Sequence, residues 1–330
     1  MKTRVAVIGA GFMGKTHATS YLKGCLEAEI AFVVDSNLSR AESLAASLKP
    51  AARGLADIQT VLDDPSVDVI DICLPTGFHH ELCLRALQAG KNVLCEKPIA
   101  NSLAEADEMV AAGNASGKCF MVAHVLRFWP EYVEAARMVN EGGIGKLRRI
   151  SCQRLSTPPA WSAGNWLLDS RLSGGAVRDL AIHDFDIINQ LAGMPVKVSA
   201  AGNPMDFSAC MTLRNDVTAT VEASYSMPKG FPFRMAFMIV GETGSIEFDG
   251  SGGSLSIVKK GVRETVAVSG SRTFNQNESA EERDGYFYEI AYFLDCVRSG
   301  KRPELGRSQD ARDALAIAIG IEKALGEGLA

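Results

Sequence analysis

The stretch Arg4-Val5-Ala6-Val7-Ile8-Gly9-Ala10-Gly11-Phe12-Met13-Gly14 decides the fold. Its first half is a β-branched apolar run, which reads as a buried strand, and its second half is a glycine turn of the form G-x-G-x-x-G. Such a turn arises often by chance, so its surroundings carry the reading. A second apolar run, Ile30-Ala31-Phe32-Val33-Val34, ends in Asp35, 21 residues after Gly14. Strand, glycine turn, helix, strand and acid together describe a dinucleotide-binding unit.

Each residue type has a physical task there. Gly9 permits the tight turn, Gly11 lets backbone approach a pyrophosphate, and Gly14 brings helix close to strand. The helix start offers unpaired N–H groups to phosphate. Asp35 is placed to accept from the ribose hydroxyls and to repel a 2′-phosphate, which favours NAD. Arg40, five residues on, keeps NADP open, since its guanidinium suits an adenine face or a phosphate.

Working outward, the first 123 residues alternate strand and helix. The helix after Ser39 buries Ala41, Leu44, Ala45 and Leu48; strands follow at Val67–Leu74, Asn92–Cys95 and Cys119–Ala123. Ser102 and Glu105 form a capping box. Such alternation predicts an α/β Rossmann domain, a doubly wound parallel sheet, over residues 1–123. Pro130 suits the first turn of a helix to about Asn140. Beyond Lys146 the period becomes two, as in Phe207–Leu213 and Val217–Tyr225. Residues 124–330 are therefore expected to form an α+β domain with an open, mostly antiparallel sheet. A last helix at about 308–326 is free to return onto the first domain. The Thr-, Ser- and Tyr-bearing outer face of the sheet suits either solvent or a second copy of the chain.

Composition narrows the partners. The chain has 330 residues, 47% hydrophobic, with a net charge of −5; no basic tract interleaved with aromatics suggests nucleic acid. No apolar run reaches bilayer length and no leader precedes Val5, so a cytoplasmic protein without a membrane partner is expected. Eight cysteines are scattered without a CxxC pair, consistent with a reducing compartment and no structural zinc.

Chemistry gathers at strand ends, where open parallel sheets bind ligands. Pro75-Thr76-Gly77-Phe78-His79, Glu96-Lys97-Pro98 and His124-Val125-Leu126-Arg127-Phe128-Trp129 each follow a predicted strand. A fourth cluster, Gly174 to Asp186, carries Asp179 and His183 four apart, on one face of a helix, an arrangement suited to acid/base work. The same spacing also serves a hydrogen-bonded structural histidine. No further clustered histidine or cysteine joins Asp179, His183 and Asp186 to complete a metal site.

Taken together, GAGFMG, CEKP, LRFWP and SGGAVRDLAIHDFD resemble the Gfo/Idh/MocA oxidoreductases over essentially the whole chain. The resemblance implies NAD(P)-dependent dehydrogenation of a secondary alcohol on a sugar or polyol, with Lys97, Asp179 and His183 as the catalytic set. It places Phe12, Met13, Asp35, Thr76, His79 and Glu96 along the dinucleotide, with Pro75 and Arg127 beside them. Trp166 would close over the site, and His124, Arg127, Trp129 and Arg178 join it as candidate substrate contacts, the aromatic ones equally suited to a core. Homodimers or homotetramers built through the open sheet are implied too. The run Phe231-Pro232-Phe233 departs from the inositol dehydrogenase pattern, in which a tyrosine helps hold the polyol. Two other readings fit the same fold: an NAD-dependent glycosidase that oxidises its sugar transiently, and a redox-silent regulator.

Overall fold

The computed structural model describes residues 2–24, 27–159, 163–251, 254–268 and 284–326; Cys25 lies outside them. The chain divides into two compact units, Met1–Val125 with Ser279–Arg312, and Leu126–Glu278 with Asp313–Ala330.

The first unit runs β1 (Thr3–Ile8), α1 (Phe12–Leu22), β2 (Ala28–Val34), α2 (Leu38–Ser47), β3 (Arg53–Leu55), α3 (Gln59–Asp63), β4 (Val69–Ile72), α4 (His79–Gln88), β5 (Asn92–Glu96), α5 (Leu103–Ser116) and β6 (Phe120–Ala123). Its strands lie in the order β3-β2-β1-β4-β5-β6, and all pairings are parallel. Strands β1, β4 and β5 are almost entirely buried, which is why they read as continuous apolar runs. The capping box forms as expected, with Ser102 Oγ accepting from Glu105 N and Glu105 accepting from Ser102 N. Helix α2 begins one residue before Ser39, capped by Asn37, whose side chain accepts from Arg40 N.

The second unit contains α6 (Pro130–Asn140), β7 (Leu147–Leu155), α7 (Ser170–Ser173), α8 (Ile182–Ala192), β8 (Lys197–Asn203), β9 (Asp206–Thr212), β10 (Thr218–Ser224), β11 (Arg234–Gly241), β12 (Gly244–Asp249), β13 (Ser254–Lys259) and β14 (Val262–Val266). These strands form one sheet, β14-β13-β12-β11-β7-β10-β9-β8. It is antiparallel except for the β7–β10 pair. One face is apolar and covered: Tyr132 of α6 packs edge-on against Phe237 at 4.8 Å. The other face carries Gln153 and Glu222, hydrogen-bonded across strands, with exposed Ser208, Cys210 and Thr212.

A single break near residue 123 does not describe this chain. The helix α9 (Gly285–Ser299) and the segment up to Arg312 belong to the first unit. There Arg307 bridges to Met121, Val122 N donates to the Gly306 carbonyl, and Arg312 pairs with Asp107. The last helix, α10 (Ser308–Gly326), starts in the first unit and continues in the second. Sequence periodicity reports which face of a helix is buried, not which core it joins, so the sequence groups α9 with the second domain and offers a return only for the last helix.

Candidate active site

Parallel pairing brings the carboxyl ends of β1, β2, β4, β5 and β6 to one edge of the first sheet. Gly9, Asp35, Pro75, Thr76, Lys97 and His124 follow those ends. β1 lies between β2 and β4, where the strand order reverses, the usual ligand position in such sheets.

The glycine turn is built for close approach. Gly9 has φ +106°, and a Cβ there would lie 2.4 Å from the Cys73 carbonyl oxygen. A Cβ on Gly14 would lie 1.8 Å from the Gly9 carbonyl oxygen, so only glycine lets α1 start this near the strand. A Cβ on Gly11 would point into open space, the space a pyrophosphate needs, and Phe12 beside it is exposed. This cradle, with Asp35 at the end of β2, fits a dinucleotide.

Asp35 is tied into the glycine turn and to Arg40 by its own hydrogen bonds. Its Oδ2 accepts from Ala10 N at 3.0 Å, and its Oδ1 accepts from Asn37 N at 2.9 Å and from Arg40 at 2.7 Å. Burial alone would raise this carboxyl, but the Arg40 guanidinium and the two backbone N–H groups hold it below its ordinary value. Arg40 is thus paired with the acid. Asp35→Ser is expected to remove the ribose acceptor and release Arg40 toward a 2′-phosphate. The ratio of kcat/KM with NADP to that with NAD should rise at least about tenfold, equivalent to ~1.4 kcal/mol. Initial rates with both cofactors check this; an unchanged ratio removes Asp35 from cofactor selection.

Two residues expected along the dinucleotide face inward instead. His79 is fully buried, with Nδ1 2.8 Å from the Pro98 carbonyl and Nε2 2.8 Å from the Leu74 carbonyl. Glu96 is buried against His17 and accepts from Lys97 N. Their hydrogen-bonding atoms are committed to the protein because the crowded ends of β4 and β5 leave backbone and charge to be satisfied. Lys97 and Met13 are half-buried, and Thr76 and His124 are buried.

Burial works against a charge on His79, but hydrogen bonding, above all to the Leu74 and Pro98 carbonyls, outweighs it and pushes the ring up to about 9. This lies above the ordinary value of 6.5, so folding favours the protonated ring. That contribution is complete below the unfolded value and is lost as pH rises through the folded one. The Tm is therefore expected to fall between about pH 7 and pH 10, and to fall less in His79→Gln. Thermal denaturation of both proteins across that range is the check; equal slopes would remove His79 as the cause.

In the second unit the segment around Asp179 is not one continuous helix. Residues 176–180 form a wide π-type turn, closed by Ala181 N donating to the Ala176 carbonyl at 2.7 Å, and α8 begins at Ile182. Turns of this type are frequent at functional sites. Gly175 (φ +63°) admits the turn, since a Cβ there would lie 2.5 Å from the Pro204 carbonyl oxygen. The buried Asp179 accepts from the Tyr225 hydroxyl. Burial and Asp179 both push that phenol well above its ordinary range, so it remains a donor. His183, half-buried, stands in the first turn of α8.

Helix α8 is locked by two buried bidentate ion pairs. Asp184 accepts from Arg154 at 2.8 Å through two nitrogens, and Asp186 accepts from Arg127 at 2.7 and 2.8 Å. Arg127, expected near cofactor and substrate, is therefore a buried clamp on α8. Arg178, another expected substrate contact, is held bidentately by Glu322 of α10. Both cations are charge-matched inside the unit, where low polarity makes an unmatched charge costly. Trp129 is buried and caps α6, whereas Trp166 is half-buried. Tyr225 and Arg154 escaped sequence reading because strand alternation registers only their burial.

Two family models match the chain: the oxidoreductase family with an NAD-binding Rossmann fold over residues 3–124, and the GFO/IDH/MocA C-terminal domain over residues 132–247. The chain belongs to the Gfo/Idh/MocA oxidoreductase family. It is 29% identical to scyllo-inositol 2-dehydrogenase (NAD(+)) of Bacillus subtilis, over 92% of this chain and 88% of that protein. It is likewise 29% identical to myo-inositol 2-dehydrogenase of Thermotoga maritima, over 98% and 96%. Among solved structures, UDP-N-acetylglucosamine 3-dehydrogenase of Acidithiobacillus ferrooxidans superposes with TM-score 0.82 and 26% identity, covering 99% of each chain. No described helix is long and apolar enough to cross a membrane.

Proposed function

We propose that this Gfo/Idh/MocA protein is an NAD-dependent dehydrogenase that interconverts a secondary alcohol and a ketone on a sugar or polyol. The observation that carries the reading is Lys97, placed at the end of β5 on the same sheet edge as the glycine turn and Asp35, in a chain that also keeps Asp179 and His183. The relatives' names, inositol and amino-sugar dehydrogenases, support the substrate class.

When bound, the nicotinamide supplies the hydride acceptor, and the protein supplies binding and electrostatics. Gly11 and the start of α1 receive the pyrophosphate, and Asp35 accepts from the ribose. Lys97 donates a hydrogen bond to the reacting oxygen and favours its developing negative charge. His183 takes the hydroxyl proton in oxidation and returns it in reduction. Asp179, itself held by Tyr225, is the residue we propose to orient that ring. We further propose that copies associate through the polar face of the eight-stranded sheet, which sedimentation will check.

A screen of sugars and polyols with NAD and NADP, following reduced cofactor and free sugar together, tests the reading. Reduced cofactor accumulating with at least one polyol is expected. Sugar release without net reduction of cofactor would replace the dehydrogenase by a glycosidase. Cofactor binding without turnover on any substrate would favour a regulator.

A further inference from the structure

Two buried histidines join the ends of β4 and β5, and each spends both ring nitrogens doing so. His17 of α1 has Nδ1 3.0 Å from both oxygens of Asp71 and Nε2 3.1 Å from Oε1 of Glu96. His79 joins the carbonyls of Leu74 and Pro98, both at 2.8 Å. A neutral imidazole has one donor and one acceptor, whereas the cation has two donors. Carbonyl and carboxylate oxygens only accept, so both rings are satisfied as imidazolium ions. Their contacts fall on the two residues that flank Lys97 in sequence, Glu96 and Pro98. Glu96 adds a second tie by accepting from Lys97 N at 3.0 Å.

We infer that His17 and His79 are charged positioning residues that hold the Glu96-Lys97-Pro98 turn, and so set where Lys97 presents its amine. Neither ring touches solvent. Around His17 stand Asp71 and Cys73 from β4 and its end, Glu96 from β5 and the Tyr286 ring of α9 at 6.3 Å. Burial disfavours its charge, but Asp71 outweighs burial and holds the ring well above its ordinary value. Around His79 the titratable group is Cys95, backed by Cys83, and burial pushes the Cys95 thiol far up, so it stays neutral. His17, Asp71 and Cys73 also lie close enough together to hold a metal. The ring's second nitrogen on Glu96 and the symmetric contact with Asp71 are the geometry of a hydrogen-bonded ion pair.

The catalytic half of this inference rests on the reading of Lys97 above; the charge half does not. The protein has five histidines, few enough to follow by NMR with 15N-labelled imidazole. Two rings are expected to show paired, imidazolium-type nitrogens up to about pH 8, where an ordinary histidine is neutral. Unequal, neutral-type nitrogens in all five rings at that pH, or stoichiometric zinc by elemental analysis, would overturn the charge assignment without any variant. In His17→Gln, kcat should fall on the order of tenfold to a hundredfold, with cofactor Kd by fluorescence within about twofold. The pH profile of kcat should change as well, because the positive charge buried behind the Lys97 turn is lost. A merely structural histidine would lower Tm and leave kcat and its pH profile unchanged in the folded enzyme, which would overturn the positioning role. If Lys97→Met kept its turnover, the positioning role would fall with the reading of Lys97, and the NMR result would still decide the charge.

Discussion

Lys97→Met is expected to cut turnover roughly 10²–10³-fold while leaving NAD affinity nearly intact. Methionine keeps the length and packing of the lysine stem and removes only the ammonium donor. In the proposed reaction that donor acts on the substrate oxygen, where charge develops, so its loss falls on kcat. Removing a single preorganised donor from such a position costs about 2.7–4 kcal/mol, or roughly 10²–10³ in rate. Pre-steady-state and steady-state rates on the best substrate of the screen, with cofactor titration by fluorescence, measure both halves. A variant with most of its wild-type rate would remove Lys97 from the chemistry. A variant that loses cofactor binding in proportion would make Lys97 a nucleotide residue.

His183→Ala is expected to cost on the order of 100-fold or more in kcat/KM, the range assigned to a positioned general base. It should also erase the limb of the pH–rate profile that reports the ring, leaving a flatter dependence. The fold should survive, because α8 keeps its two buried ion pairs, Asp184–Arg154 and Asp186–Arg127. Circular dichroism separates the outcomes: native signal with lost activity supports the base, while native signal with unchanged turnover and unchanged limbs removes it. In the latter case the Asp179–Tyr225 pair becomes a structural tie between the residue that follows β10 and the π-type turn.

The sequence by itself determined the nucleotide half of this protein. Val5, Val7 and Ile8, then Gly9, Gly11 and Gly14, and finally Asp35 are local signals, because a strand, its turn and the next helix are set by neighbours in the chain. The alternation in 207–225 similarly announced an antiparallel sheet with one covered face, since a period of two is a local property of extended backbone. Tertiary structure decided everything that required distant residues to meet. It turned α9 back to the first unit, paired Arg127 with Asp186 and Arg178 with Glu322, and gave Asp179 a partner in Tyr225, 46 residues on. His17 meets Asp71 and Glu96, 54 and 79 residues away. A charged side chain in a sequence carries no record of its partner: whether it faces solvent, ligand or a buried counter-charge depends on which chain segment folds against it.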